Sequence, residues 1–147
     1  MQVKDLTLTS PDVTDGERVP DAFAGEDATT PPRFVVSGIP EGAVELALIC
    51  HDPDAPMPPG FTHWTLYGIP AVEGEIDVTA GRSGPNDTGG SGYVGPFPPA
   101  GHGDHHYYFW VYALSEPVDG TPSRSGFLHH SADAVIEQAR LVATYSA

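Results

Sequence analysis

Two stretches of this chain gather residues able to do chemistry. Asp52-Pro53-Asp54-Ala55-Pro56 is followed by Thr62-His63-Trp64, and Gly95-Pro96-Phe97-Pro98-Pro99 leads into His105-His106-Tyr107. Each couples a stiff proline turn to a cluster of Asp, His and Tyr, so the two read as halves of one polar pocket. Binding a small anion requires a concave site with a few converging donors, and imidazoles, a Tyr hydroxyl and free backbone N–H groups supply them. Carboxylates alone would repel it. The first turn cannot be helical and contains two nitrogens without a proton, so its carboxylates project from a rigid support. Such rigidity lowers the ordering cost of binding. Pro98-Pro99 stiffens the opposite side, and Gly101 and Gly103 permit backbone angles closed to other residues.

The same side chains admit other chemistry. His102, His105 and His106, with His63 and the aspartates, are imidazole and carboxylate groups of the kind that suits zinc. A metal-assisted hydrolase is therefore the alternative, although the spacing is irregular and lies in a loop. Ser83, Ser91 or Thr62 beside a histidine evokes a Ser-His-Asp hydrolase, but there is no G-x-S-x-G elbow and no evident oxyanion-hole element. No residue is assigned a catalytic or metal-ligating role, and no cofactor is expected. Plainer roles compete for several residues. Asp52 and Asp54 could be a turn-forming pair, Trp64, Phe109 and Trp110 core residues, Cys50 an inert buried thiol, and His129-His130 a solvent-exposed pair.

The wording of both segments resembles the phosphatidylethanolamine-binding protein family, in particular its bacterial and archaeal, Raf-kinase-inhibitor-like branch. The first matches D-P-D-A-P with its His-Trp strand, and the second matches G-P-x-P-P ending in H-x-Y. Leu6-Thr7-Leu8-Thr9-Ser10-Pro11, Thr30-Pro31-Pro32, Asn86-Asp87 and Val111-Tyr112-Ala113-Leu114 fall in family order, so the resemblance covers nearly the whole chain. It implies a non-catalytic binding or regulatory module with a pocket built from Asp52, His63, Pro99, His105 and Tyr107, to which Asp54, Gly95 and Pro98 are added here. The implied ligand is phosphate, a phospho-head group or another small anion such as a carboxylate. His63 and His105 would donate toward the phosphate, while Asp52 would fix an imidazole tautomer or accept from an ammonium group. The kinase-inhibitor label implies a protein partner, which these residues do not identify; monomer and homodimer both remain open. One departure stands out: His106 occupies the position where the family usually has Arg, replacing a permanent forked charge and leaving Asp54 less tightly held.

Strands must position these groups. Phe34–Ile39 and Ala43–Cys50 are β-rich runs separated by the turn Pro40-Glu41-Gly42, and are expected to be neighbours. Alternation from His63 to Ile69 places His63, Thr65 and Tyr67 on one face and Trp64 and Leu66 on the other. Tyr107–Leu114 is apolar on both faces, as in a covered central strand, and His105 shares the side of Tyr107 if the strand begins there. Gly81–Gly103 is too long for a mere connector and reads as a functional loop. Ser131 is the expected N-cap of a helix with an apolar stripe of Ala132, Val135, Ile136, Ala139, Val142 and Ala143. The fold class is all-β: an antiparallel β-sandwich with Greek-key connections and a C-terminal helix.

At 147 residues the chain fits a single domain, 1–147, able to bury its own core. Cys50 alone excludes an internal disulfide, and neither an export signal nor a membrane-length apolar run is evident, so a cytoplasmic protein without stable membrane association is expected. Six basic against 20 acidic residues give a formal net charge of −14, which repels nucleic acid and anionic lipid at long range. Disorder is disfavoured by the 39% hydrophobic content. With Lys4 the only lysine, such acidity suits a halophilic setting, because molar salt shortens the Debye length to about 3 Å and removes the self-repulsion.

Overall fold

The computed structural model describes residues 5–56 and 58–147. Strand β3 (Glu45–Asp52) is buried along its whole length, with Leu46, Leu48 and Cys50 on one face and Ala47 and Ile49 on the other. A strand apolar on both faces must lie inside a sheet that is covered twice. β3 accordingly pairs on one side with β4 (Phe61–Pro70) and on the other with β7 (His105–Leu114). β6 (Arg82–Ser83) and β8 (Val135–Tyr145) complete an antiparallel sheet of order β6-β4-β3-β7-β8. A smaller antiparallel sheet has the order β1-β2-β5, from Thr7–Thr9, Val35–Ser37 and Gly74–Glu75.

The main core lies between the sheets, where Leu8 and Val36 meet Leu46, Leu48, Trp64, Leu66, Phe109 and Leu141. The outer face of the large sheet is covered by α1 (Arg124–His130), whose Phe127 packs with Ala47, Ile49, Tyr67, Tyr112 and Leu114. Full burial of a phenylalanine is worth about 1.5–3 kcal/mol, enough to dock so short a helix. Its N-cap is Ser123, which accepts from the Gly126 amide at 3.1 Å. Among the described residues, no helix is long and apolar enough to cross a membrane.

The β-sandwich with a late helix is the class expected, but two placements within it differ. β2 and β3 are not neighbours: the Pro40-Glu41-Gly42 turn carries the chain from the small sheet to the large one. The late helix precedes Ser131, and residues 135–145 form β8. β8 pairs with β7 from Leu114↔Val135 to His105↔Tyr145. Glu137, Leu141 and Ala143 face inward at even spacing, and β-branched Val135, Ile136, Val142 and Thr144 favour the extended form. The helical stripe was a coincidence of composition, overridden by a long partner strand. His129 and His130 end α1 and are exposed.

Candidate ligand-binding pocket

Asp52 ends β3 and is only 2% exposed. Its Oδ1 accepts from the Asp54 amide at 2.8 Å, folding the proline turn back on itself, and its Oδ2 accepts from His105 Nδ1 at 2.6 Å. The far end of the turn is closed by His51, whose Nε2–H donates to the Pro59 carbonyl and whose Nδ1 accepts from the Thr62 hydroxyl, both at 3.0 Å. The Pro58-Pro59 peptide is cis. Gly60, at φ +115°, lies where any Cβ would strike the Asp52 carbonyl.

His63 reaches the pocket through a β-bulge. The β3–β4 register passes from Cys50↔Trp64 to His51↔Thr62, leaving His63 as the extra residue. The bulge reverses the parity expected from alternation: His63 lies with the inner aromatics, 5.2 Å from the Tyr107 ring and 5.6 Å from the Phe97 ring, while Tyr67 faces α1. Its Nδ1 donates to the Val94 carbonyl at 2.9 Å, and the Val94 amide returns a bond to the His63 carbonyl at 3.0 Å. Burial pushes this imidazole down to about 4, so it is neutral at physiological pH. The expectation that His63 donates toward an anion is therefore corrected: its one ring proton is committed to Val94.

The long loop before β7 acts as a wall. Asp87 accepts from the Thr62 amide at 2.7 Å, and Asn86, buried, donates to the Gly92 carbonyl at 2.8 Å. Gly95 donates to the Ala28 carbonyl and packs so closely on Phe23 that a Cβ would collide with its carbonyl oxygen.

These elements enclose a cavity of about 270 Å³ lined by Asp52, Ala55, Pro56, Phe61, His63, Phe97, Pro98, Pro99, His105 and Tyr107. The two sequence segments therefore do converge. Asp54 and Gly95 do not line it: Asp54 points outward to accept from the amide and Nδ1 of His106 at 2.7 and 2.8 Å, and Gly95 seats the wall from behind. Phe61 and Phe97, missed from the sequence, supply apolar sides, with ring centroids 5.6 Å apart. A phenylalanine caught between prolines in a loop was a readable signal; the bulge at His63 was not. Burial, followed by the neighbouring Asp52 carboxylate, raises the Tyr107 phenol well above its ordinary value, so its hydroxyl keeps its proton. Beneath the pocket Cys50 is fully buried, which raises its thiol well above the usual range. Among the described residues, no group of three or more His, Cys, Asp or Glu side chains is placed to hold a metal ion.

The family model for phosphatidylethanolamine-binding protein matches residues 9–146. The chain belongs to the phosphatidylethanolamine-binding protein family. Escherichia coli YbcL is 36% identical over 141 residues, covering 83% of this chain and 77% of that protein. The crystal structure of YbcL, described as a new member of the mammalian family, superposes with a TM-score of 0.86 at 31% identity, covering 97% of this chain and 98% of that one. A Mycobacterium tuberculosis protein named as a lipoprotein, LppC, is 39% identical over 146 residues, 95% of this chain and 72% of the relative. These likenesses place the chain in the bacterial and archaeal branch of a family of phosphatidylethanolamine-binding proteins, whose members generally bind small ligands and are not enzymes. In this chain the pocket is lined from the two proline-rich segments and the strands that follow them.

Proposed function

We propose that this protein is a small-anion binding module, probing its surroundings through the pocket for phosphate, a phospho-head group or a carboxylate, and acting by regulation and not by catalysis. The observation that carries this is the convergence of Asp52, His63, His105 and Tyr107, from three strands, at the floor of one cavity walled by prolines and phenylalanines. Its volume of about 270 Å³ lies just below the range of about 300–1,000 Å³ that suits drug-sized ligands, and so fits a head group. The walls come preformed, which keeps the ordering cost low. With the Nδ1 protons of His63 and His105 already committed, few hydrogen bonds of roughly 1.5–3 kcal/mol each are left to offset desolvation, so the affinity should be no tighter than about micromolar.

The metal-assisted hydrolase reading is weaker. It would have to work with two free imidazole nitrogens and no third ligand among the described residues. NMR titration of the backbone amides with ethanolamine phosphate tests the proposal: shifts should concentrate on residues 52–56, 61–63, 97–99 and 105–107. Shifts confined to other surfaces, or none at millimolar ligand, would refute it.

A further inference from the structure

His63 and His105 face the pocket with their Nδ1 atoms already engaged, one by the Val94 carbonyl at 2.9 Å and the other by the Asp52 carboxylate at 2.6 Å. Both partners can only accept, so each neutral ring carries its proton on Nδ1 and a lone pair on Nε2. Among the described residues neither Nε2 has a protein partner and no buried side-chain N or O is left without one, so both open on the cavity. With the Asp52 carboxylate behind His105, the floor presents acceptors. A fully deprotonated oxyanion would find the Tyr107 hydroxyl as its side-chain donor, set against two lone pairs and a negative charge.

Building on the anion site proposed above, we infer that the pocket takes an oxyanion together with one proton, held between a ligand oxygen and His105 Nε2. It thereby selects oxyacids that arrive protonated, such as the monoanion of a phosphate monoester, over anions that bring no proton, such as sulfate. The balance is the same by either route: the ligand O–H donates to Nε2, or solvent protonates Nε2 and the imidazolium donates to the anion. Asp52, 3% exposed at its side chain, stabilises the positive ring in both. His63 from β4 does not take the proton, since burial holds it down to about 4. From β7 itself the Tyr107 hydroxyl stays protonated, and Asp54 beyond the β3 turn is bonded to His106. From β8 the register partner Tyr145 turns its hydroxyl to Asp21 at 3.0 Å. His102 and Asp104, in the loop before β7, are exposed, with the His102 ring centroid 5.9 Å from that of His105.

Calorimetric titration of the whole chain with sodium sulfate and with ethanolamine phosphate tests this, at fixed ionic strength from pH 6 to 8.5, in two buffers of unlike ionisation enthalpy. Sulfate should take up a proton as it binds, and its affinity should fall by about tenfold or more between pH 6 and 8.5. Ethanolamine phosphate, with a second ionisation near pH 6, should bring more of its own proton as the pH falls, so its heat should depend less on the buffer there. His102→Ala should leave the uptake unchanged, and His105→Gln should abolish the pH slope. The wild-type heats decide the matter even if the second variant fails to fold. Binding with buffer-independent sulfate heats and no slope overturns the proton coupling but leaves the anion site standing. Absence of binding by both anions at every pH overturns both.

Discussion

Asp52 with His105 and Asp54 with His106 are the same two functional groups, offered by one turn to adjacent residues of one strand. Their geometry is nearly the same, Nδ1 to Oδ2 being 2.6 Å in one and 2.8 Å in the other. Their surroundings are not: the first pair is 4% and 3% exposed at the side chains, the second 50% and 42%. Strand alternation alone makes the difference, turning His105 into the cavity and His106 to solvent. The comparison separates two uses of one interaction. Inside, a desolvated carboxylate orients an imidazole whose other nitrogen faces a ligand; outside, water and salt screen the pair, which serves to tack the turn to β7.

Breaking the inner pair should have the largest effect. His105→Ala takes from the buried Asp52 carboxylate one of its hydrogen-bond donors, which costs about 1–3 kcal/mol. His106→Ala should cost no more than about 1 kcal/mol. Urea unfolding of both variants against the wild type measures the contrast. Equal losses would mean that burial does not set the worth of these pairs.

His63 sharpens the inner side of the comparison through pH. Its folded value of about 4 lies below the ordinary 6.5, so between the two the unfolded chain binds the proton first. The contribution of this residue is constant above about pH 6.5, falls as the pH drops, and levels off below about 4, a total loss of about 3 kcal/mol. Denaturation at pH 7, 5.5 and 4.5 should show the decline in the wild type and a flatter profile in His63→Gln. Parallel profiles would assign the acid sensitivity to another group.

Much of this site was legible because few residue types can do its chemistry. Asp52, His63, Pro98, Pro99, His105 and Tyr107 stand in two stiff motifs, and the fold brings all six to one cavity. β3, β4 and β7 were legible from alternation and apolar runs. What could not be read depended on contacts distant in sequence. The Pro40-Glu41-Gly42 turn announces a reversal but not a change of sheet, and residues 135–145 fit helical and strand periods alike until β7 supplies ten partners along their length. The bulge at His63 and the seat of Gly60 against Asp52 are likewise products of pairing, invisible in local sequence. Asp54 was assigned to the pocket by its motif, and its neighbour His106 took it outside.

Loosening the outer pair tests whether that tack matters to the pocket. Asp54→Asn keeps an acceptor for the His106 amide but removes the charge, and should cost about 0.2–1 kcal/mol. Because Ala55 and Pro56 line the cavity just beyond it, ethanolamine phosphate should bind a few-fold more weakly, with faster hydrogen exchange at the His106 amide. Unchanged exchange would show that the turn is held by Asp52 and His51 alone.

The smallest effect expected is from His106→Arg, which places a permanent, forked charge beside Asp54. Burial acts to raise the Asp54 carboxyl, but bonds from the His106 ring and amide outweigh it and hold the carboxyl below its ordinary 3.8. Stability from Asp54 is therefore present above 3.8 and fades as the pH falls through the lowered folded value, so at pH 5.5 and 8 the carboxylate is charged alike. Arginine brings a permanent forked charge to that carboxylate, and should stabilise the protein by about 0.5 kcal/mol. Thermal unfolding in dilute buffer at pH 8 measures the gain, and at 1 M salt, with a Debye length of about 3 Å, it should shrink. A gain unchanged by salt would indicate that the new side chain acts by packing along the turn and not through Asp54.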